Sequence, residues 1–425
     1  MRKMLLAASA LALLGACAPK PAEPEAAAPA EAAEVAETEA TPAEIHERLM
    51  VLDSHLDTPA NFSNPDYDIM ADNPSVLGQV QVDLPKMKRG GLDGGFWVIF
   101  TPQGPLTPEA YDAALEFAST RQDEILAVAA AHPDDFELAY TADDAERIVA
   151  SGKRVMLQSI ENSYPLGLDL ANLQTFYDKG VRMVGLIHFR DNQFGGSSTD
   201  FTSPEDTGLT DLGKELVREA NRLGMVVDGS HSSDASVQDM MDISTTPVIL
   251  THTGLKSVYD HPRNITDDFL KEVAAQGGVI QMNAYGTYLE ALEDSPERRA
   301  ALEELKAEFE GVDPFTADDA TKASYMEKMK ALNEEFPPPR STFEKFMEHM
   351  LHALELVGPE HVGMGADWDG GGGVEGMEDV SFLPKVTERL MEEGYTEEDL
   401  KKIWGGNLMR VMREAEAAKE TPDTP

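Results

Sequence analysis

Hydrophobic and polar positions along this chain follow two alternating rhythms. Short apolar runs, bounded by glycine, proline or charged residues, are followed by longer stretches with apolar positions three and four apart. The first rhythm fits buried strands and the second amphipathic helices. The apolar run Leu49–Leu52 passes into the loop Asp53-Ser54-His55-Leu56-Asp57-Thr58-Pro59. Further runs lie at Gly95–Thr101, Arg154–Ile160, Val181–Phe189, Met225–Ser230, Val248–Thr251, Gly278–Asn283 and His361–Ala366. Helical patterns fall between them at Pro108–Ala131, Asp143–Ser151 and Asp211–Leu223, the last opening on a Thr-Asp cap. Eight strands alternating with helices predict an α/β fold, a (β/α)8 TIM-type barrel. A doubly wound open sheet is the alternative, but no glycine-rich phosphate loop follows the first strand.

One stretch breaks the rhythm. Residues 295–340 read as two charged helices around Gly311-Val312-Asp313-Pro314, ending at Pro337-Pro338-Pro339. They form a helical insertion after strand seven, expected to act as a lid or a homodimer contact. An amphipathic helix follows, with Phe343, Phe346, Met347, Met350, Leu351 and Leu354 on one face. At the other end, Arg2 and Lys3 precede the apolar run Met4–Leu14, too short to span a bilayer as a mature helix. Residues 18–44 are rich in Ala, Pro and Glu and read as a disordered tether. The barrel domain is expected over 45–418. With 77 acidic against 35 basic residues the formal charge is −42, which excludes nucleic acid and anionic membrane surfaces as electrostatic partners.

The candidate chemistry sits where the apolar runs stop. Asp57 lies two residues beyond His55, so in an extended chain both side chains project the same way. Glu161, His188, His231, His252 and Asp367 each follow or close another predicted strand. In a barrel these C-terminal strand ends converge on one mouth. Burying so many ionisable groups without partners is costly, and metal ions are the usual compensation. Oxygen and nitrogen donors without thiolate suit zinc or a similar divalent ion. A carboxylate such as Glu161 can bridge two ions. His46, His132, His349, His352 and His361 fall in helices, turns or before strands and read as packing or solvated residues. His261 lies close to Arg263, where a substrate contact is open.

Taken in order, these pieces resemble the membrane (renal) dipeptidase family of zinc peptidases, within the amidohydrolase-like barrels. The matching segments are Asp53-Ser54-His55-Leu56-Asp57-Thr58-Pro59, the Glu161 strand, His188-Phe189-Arg190-Asp191-Asn192, Ser230-His231-Ser232 and Thr251-His252-Thr253. Pro262-Arg263-Asn264-Ile265-Thr266-Asp267-Asp268, Gly365-Ala366-Asp367-Trp368-Asp369-Gly370 and Gly405-Gly406-Asn407 complete them. The resemblance implies two zinc ions or other divalent metals, one held by His55 and Asp57, the other by His231 and His252, with Glu161 bridging. It implies a dipeptidase in which a metal-bridging hydroxide attacks the peptide carbonyl. His188 would contact the tetrahedral intermediate, Asp367 would serve as acid and base, and Arg263 would receive the substrate's free C-terminal carboxylate. A related amidohydrolase acting on N-acyl amino acids, β-lactams or lactones is the alternative, and a non-catalytic solute-binding lipoprotein a further one. Leu14-Gly15-Ala16-Cys17 resembles a bacterial lipobox, which implies a signal peptide over 1–17 and lipidation of Cys17. The chain is then expected on the bacterial cell envelope, periplasm-facing and sorted to the outer membrane. Cys17 is the single cysteine, so no intramolecular disulfide can form.

Overall fold

The structure, a computed structural model, describes residues 40–420 apart from 77, 203–206 and 313–316. The leader, Cys17 and the tether as far as residue 39 lie outside the described residues. The strands are β1 (Leu52–Leu56), β2 (Gly94–Phe100), β3 (Phe136–Leu138), β4 (Arg154–Glu161), β5 (Val181–Gly185), β6 (Val226–Asp228), β7 (Val248–Thr253), β8 (Val279–Met282) and β9 (Val362–Met364). Every ladder is parallel, and the sheet runs β1-β2-β4-β5-β6-β7-β8-β9 with β3 pairing onto β4 from outside that path. The two ends of the sheet meet. Leu56 bridges Trp368, Asp57 N–H donates to the Trp368 carbonyl at 2.8 Å, and Ala366 N–H donates to Asp53 Oδ2 at 3.1 Å. The result is the expected TIM-type barrel, nearly closed, with helices between its strands.

Threonine caps start the helices that return the chain. Thr107, Thr141, Thr210, Thr266 and Thr342 each accept a backbone N–H in the first turn of the helix that follows. The helices Pro108–Ala131 and Asp211–Leu223 match the sequence pattern residue for residue. The first strand does not. It runs over Leu52–Leu56 and not over the apolar Leu49–Leu52, because Asp53 and Ser54 are buried through hydrogen bonds instead of apolar packing. Strand β3 and the helix Leu84–Gly90 have no counterpart in the sequence reading. The helix starts at Asp83, whose carboxylate accepts from Lys86 N–H and pairs with the buried Lys86 ammonium.

The floor of the barrel is apolar. Leu52, Phe96, Val155, Leu157, Met183, Val226, Ile249 and Val279 come from the early parts of seven strands and form one cluster with Leu408, Met409, Val411, Met412 and Ala415. The last five belong to the C-terminal helix Asn407–Ala418, which plugs the end opposite the ligand-bearing strand ends. The insertion consists of the two helices Pro296–Glu308 and Asp319–Glu335, placed between the seventh and eighth barrel strands, β8 and β9. Met409 is fully buried in the floor, whereas Met326 in the insertion is 59% exposed. Truncation of a buried methionine in a packed core costs about 2–5 kcal/mol, and an exposed one about 0.5 kcal/mol or less. Met409→Ala is therefore expected to unfold at much lower urea concentration than wild type and Met326→Ala at nearly the same. Equal midpoints for the two variants would mean that the floor is not the principal core.

Candidate active site

The strand ends bring the predicted side chains to one mouth, with Glu161 at the centre. Its Oε2 lies 3.5 Å from His55 Nε2, and that nitrogen lies 3.4 Å from Asp57 Oδ2. Its other oxygen, Oε1, lies 3.1 Å from His231 Nε2, 3.5 Å from His252 Nε2 and 3.7 Å from His188 Nε2. The carboxylate thus presents one oxygen to His55 and Asp57 and the other to the remaining imidazoles. Asp367 joins His55 and Asp57 on the first side, where ligand atoms of the three lie within 4.8 Å of one another. Glu161 closes β4, and His55 and His252 lie within β1 and β7, not beyond them. His188 lies past the end of β5, which stops at Gly185 and not at Phe189. His231 and Asp367 reach the mouth from left-handed backbone, with φ of 65° and 64°. For histidine that conformation is uncommon and marks a constrained site.

The electrostatics follow from burial. Desolvation works against a charge on His55, yet Glu161 and Asp57 outweigh it and hold His55 well above the ordinary imidazole range. Burial pushes His188 down to about 4, with Arg263 and His55 assisting and Glu161 opposing. Burial also holds His231 and His252 well below the usual range, joined by Arg263 and by neighbouring imidazoles. Asp367 is pushed well above the carboxylate range by burial, with Asp57 and Glu161 adding to it against His55 and Arg263. Neutral imidazoles are the form in which histidine binds metal. The carboxylates of Glu161 and Asp57 favour positive charge at His55.

Arg263 is buried. Asp267 is engaged by Ser257 and His352, and Asp268 by Lys271, so neither pairs with the arginine. Arg263 Nη1 donates to Thr253 Oγ1 at 3.1 Å and Nη2 to the His252 carbonyl at 2.8 Å, while Nε is buried without a partner. The Tyr288 ring lies 5.8 Å from its Cζ. A cavity of about 370 Å³ opens over the cluster, lined by Asp57, Glu161, His188, His231, Asp367 and Asp369 together with Phe100, Phe189, Tyr285 and Tyr288. The aromatic wall was missed in the sequence, since Phe100 and Phe189 read there only as strand residues. Phe100 and Phe189 flank His188 at ring distances of 4.8 and 3.9 Å. Among the described residues, none of 295–340 lines the cavity. His46, His349, His352 and His361 bind backbone or side chains away from the cluster, and His261 packs on Tyr288.

Residues 39–425 match the family described as membrane dipeptidase, peptidase family M19. The chain belongs to that family. Among curated relatives, dipeptidase tcpJ of Claviceps purpurea is 30% identical over 359 residues, covering 82% of this chain and 73% of that protein. The crystal structure of the probable dipeptidase PvdM from Pseudomonas aeruginosa superposes with a TM-score of 0.76 at 30% identity, covering 89% of this chain and 98% of that one. A metallopeptidase from Rhodobacter sphaeroides, liganded with a phosphinate mimic of the dipeptide L-Ala-D-Ala, gives a TM-score of 0.68 at 25% identity. It covers 86% of this chain and 99% of its own. The donor set of this M19 chain fits a divalent metal. It is made of oxygen and nitrogen ligands, the imidazoles stand neutral on one side of Glu161, and His55 Nε2 and His231 Nδ1 are buried without hydrogen-bond partners. Metal bound only by the folded state raises stability by mass action. Chelator-treated protein is expected to melt lower than protein supplied with a divalent metal, and Glu161→Gln to narrow that gap. An identical Tm with and without chelator would remove the metal from this site.

Proposed function

We propose that this M19 dipeptidase cleaves dipeptides carrying a free C-terminal carboxylate, with a pair of divalent ions, zinc by preference, at the cluster. The carrying observation is the division of Glu161, one oxygen toward His55 and the other toward His231 and His252. His55 and Asp57 would hold one ion, His231 and His252 the other, and Glu161 both. When bound, such a pair acidifies a water for attack and polarises the carbonyl to be attacked.

The chain's own residues do the rest. His188, neutral and fixed between Phe100 and Phe189, donates a hydrogen bond to the carbonyl oxygen as it gains charge. Asp367 takes a proton from the attacking water and returns it to the leaving amine. Arg263 receives the substrate's carboxylate with the guanidinium donors that Thr253 and His252 leave over. That contact also limits substrates to two residues, because a longer peptide would press backbone against the arginine. The mimic bound by the Rhodobacter relative supports dipeptides as substrates and a D-residue in the second position. The lipobox-like Leu14-Gly15-Ala16-Cys17 supports a lipid anchor through Cys17 on the bacterial envelope, facing the periplasm at the outer membrane. The insertion of two helices after strand seven would serve as a lid or as a homodimer contact.

Removing one partner of a desolvated charge pair costs on the order of 2–5 kcal/mol, roughly 30- to 5000-fold in kcat/KM. Arg263→Met is therefore expected to lose heavily on Gly-Leu and little on its C-terminal amide, a poor substrate of wild type. Equal losses on acid and amide would assign Arg263 to holding β7 and not to binding substrate. For the anchor, wild type expressed in a bacterial host is expected in the membrane fraction and Cys17→Ala in the soluble one. Lipidation with several acyl chains holds firmly where a single chain does not. Release of wild type by a simple wash would end the lipobox reading.

A further inference from the structure

Behind the cluster, Asp228 closes β6 and is buried, and it lines neither the cavity nor the candidate ligand groups. Its Oδ1 accepts the backbone N–H of Ser230 at 2.9 Å and of Thr251 at 3.1 Å. Its Oδ2 is 2.6 Å from Thr251 Oγ1, and that same hydroxyl is 2.9 Å from His252 Nδ1. The proton assignments follow from the donor inventory. A carboxylate holding two backbone N–H bonds is an acceptor, so the single hydroxyl proton of Thr251 goes to Asp228. The Thr251 oxygen can then only accept from the imidazole, which places the His252 proton on Nδ1. Nε2 is left with a bare lone pair, and it is Nε2 that lies 3.5 Å from Glu161 Oε1.

His231 provides the contrast within the same cluster. Its Nδ1 is buried without a partner, so no second hydrogen bond fixes its tautomer. Its Nε2 lies 2.9 Å from His252 Nε2. With His252 committed as an acceptor, a proton on His231 Nε2 has two acceptors in reach, His252 Nε2 and Glu161 Oε1 at 3.1 Å. The two histidines of one presumed ligand pair are therefore unequally prepared, one already in the ligand form and the other without a second bond to fix its tautomer.

We propose that Asp228 and Thr251 are positioning residues, a carboxylate–hydroxyl relay that fixes the tautomer and ring orientation of His252 for a divalent cation. The inference rests on the metal pair proposed above. The relay also joins the ends of β6 and β7, since Ser230 Oγ accepts the His252 backbone N–H at 3.1 Å while Ser230 N–H is held by Asp228. Loss of the partner that orients a metal-binding histidine lowers metal affinity about 10- to 100-fold.

The test uses Thr251→Val, which keeps the side chain's shape but not its hydroxyl, and Thr251→Ser, which keeps the hydroxyl. Zinc affinity is measured by competition with a chromophoric chelator on folded protein. In parallel, nitrogen NMR of ring-labelled histidine in metal-free protein reads the tautomer, with the His252 signal assigned by its loss in His252→Gln. The expected result is weaker zinc binding by about 10- to 100-fold in Thr251→Val, near-wild-type binding in Thr251→Ser, and an Nδ1-protonated His252 in wild type. Unchanged zinc affinity in a folded Thr251→Val, or a His252 proton on Nε2 in wild type, would overturn the relay. If Thr251→Val does not fold, the wild-type tautomer alone decides. A wild type that binds no divalent metal at all would instead sink the metal-pair reading, so the two failures are distinguishable.

Discussion

The structure depends on a carboxylate that could not be buried alone. Glu161 ends a strand of a parallel barrel and is buried, with four imidazoles around its two oxygens and Asp57 and Asp367 beside His55. In a low-dielectric site, uncompensated charge of this kind opposes folding strongly. The imidazoles reduce the cost by hydrogen bonding and by partial charge, and a bound cation removes most of the rest. This explains why one mouth concentrates so much polarity while the floor beneath it is wholly aliphatic and aromatic. The barrel is two environments stacked along the same strands.

The seam between β9 and β1 shows how the polar layer also does structural duty. No regular ladder joins these two strands among the described residues. Asp53 takes that role with its side chain, accepting from His55 N–H at 2.8 Å on one oxygen and from Ala366 N–H on the other. Ser54 Oγ adds a contact to the Met364 carbonyl of β9 at 3.2 Å. The groups that close the sheet are thus immediate neighbours of the groups that face the cavity. Distortion at the seam would reach His55 and Asp367 within one or two residues.

Much of this was legible in the sequence. The apolar runs marked seven of the eight barrel strands, and the residues after them pointed to the convergent cluster, because strand ends in a barrel share one face. The register of β1 was not legible, since polarity at Asp53 and Ser54 mimics a loop when the partners that bury it are some 200 to 300 residues away. Strand β3 was too short to stand out and pairs outside the barrel path. The burial of Arg263 was not legible, because sequence does not tell whether nearby Asp267 and Asp268 are already engaged. The aromatic wall and the Asp228–Thr251 relay depend on contacts between elements distant in the chain. The motif Asp228-Gly229-Ser230-His231 held a clue in its leading aspartate, but nothing local assigned it to the histidine of the next strand.

The plug at the floor bears on how the chain folds. Leu408, Met409, Val411, Met412 and Ala415 lie far along the sequence from Leu52 and Phe96, yet they complete the same cluster. Strand β1 must likewise wait for Trp368 before its outer edge is covered. Until both distant segments dock, a folding chain therefore carries an open sheet edge and an unfilled apolar floor, and such surfaces invite aggregation.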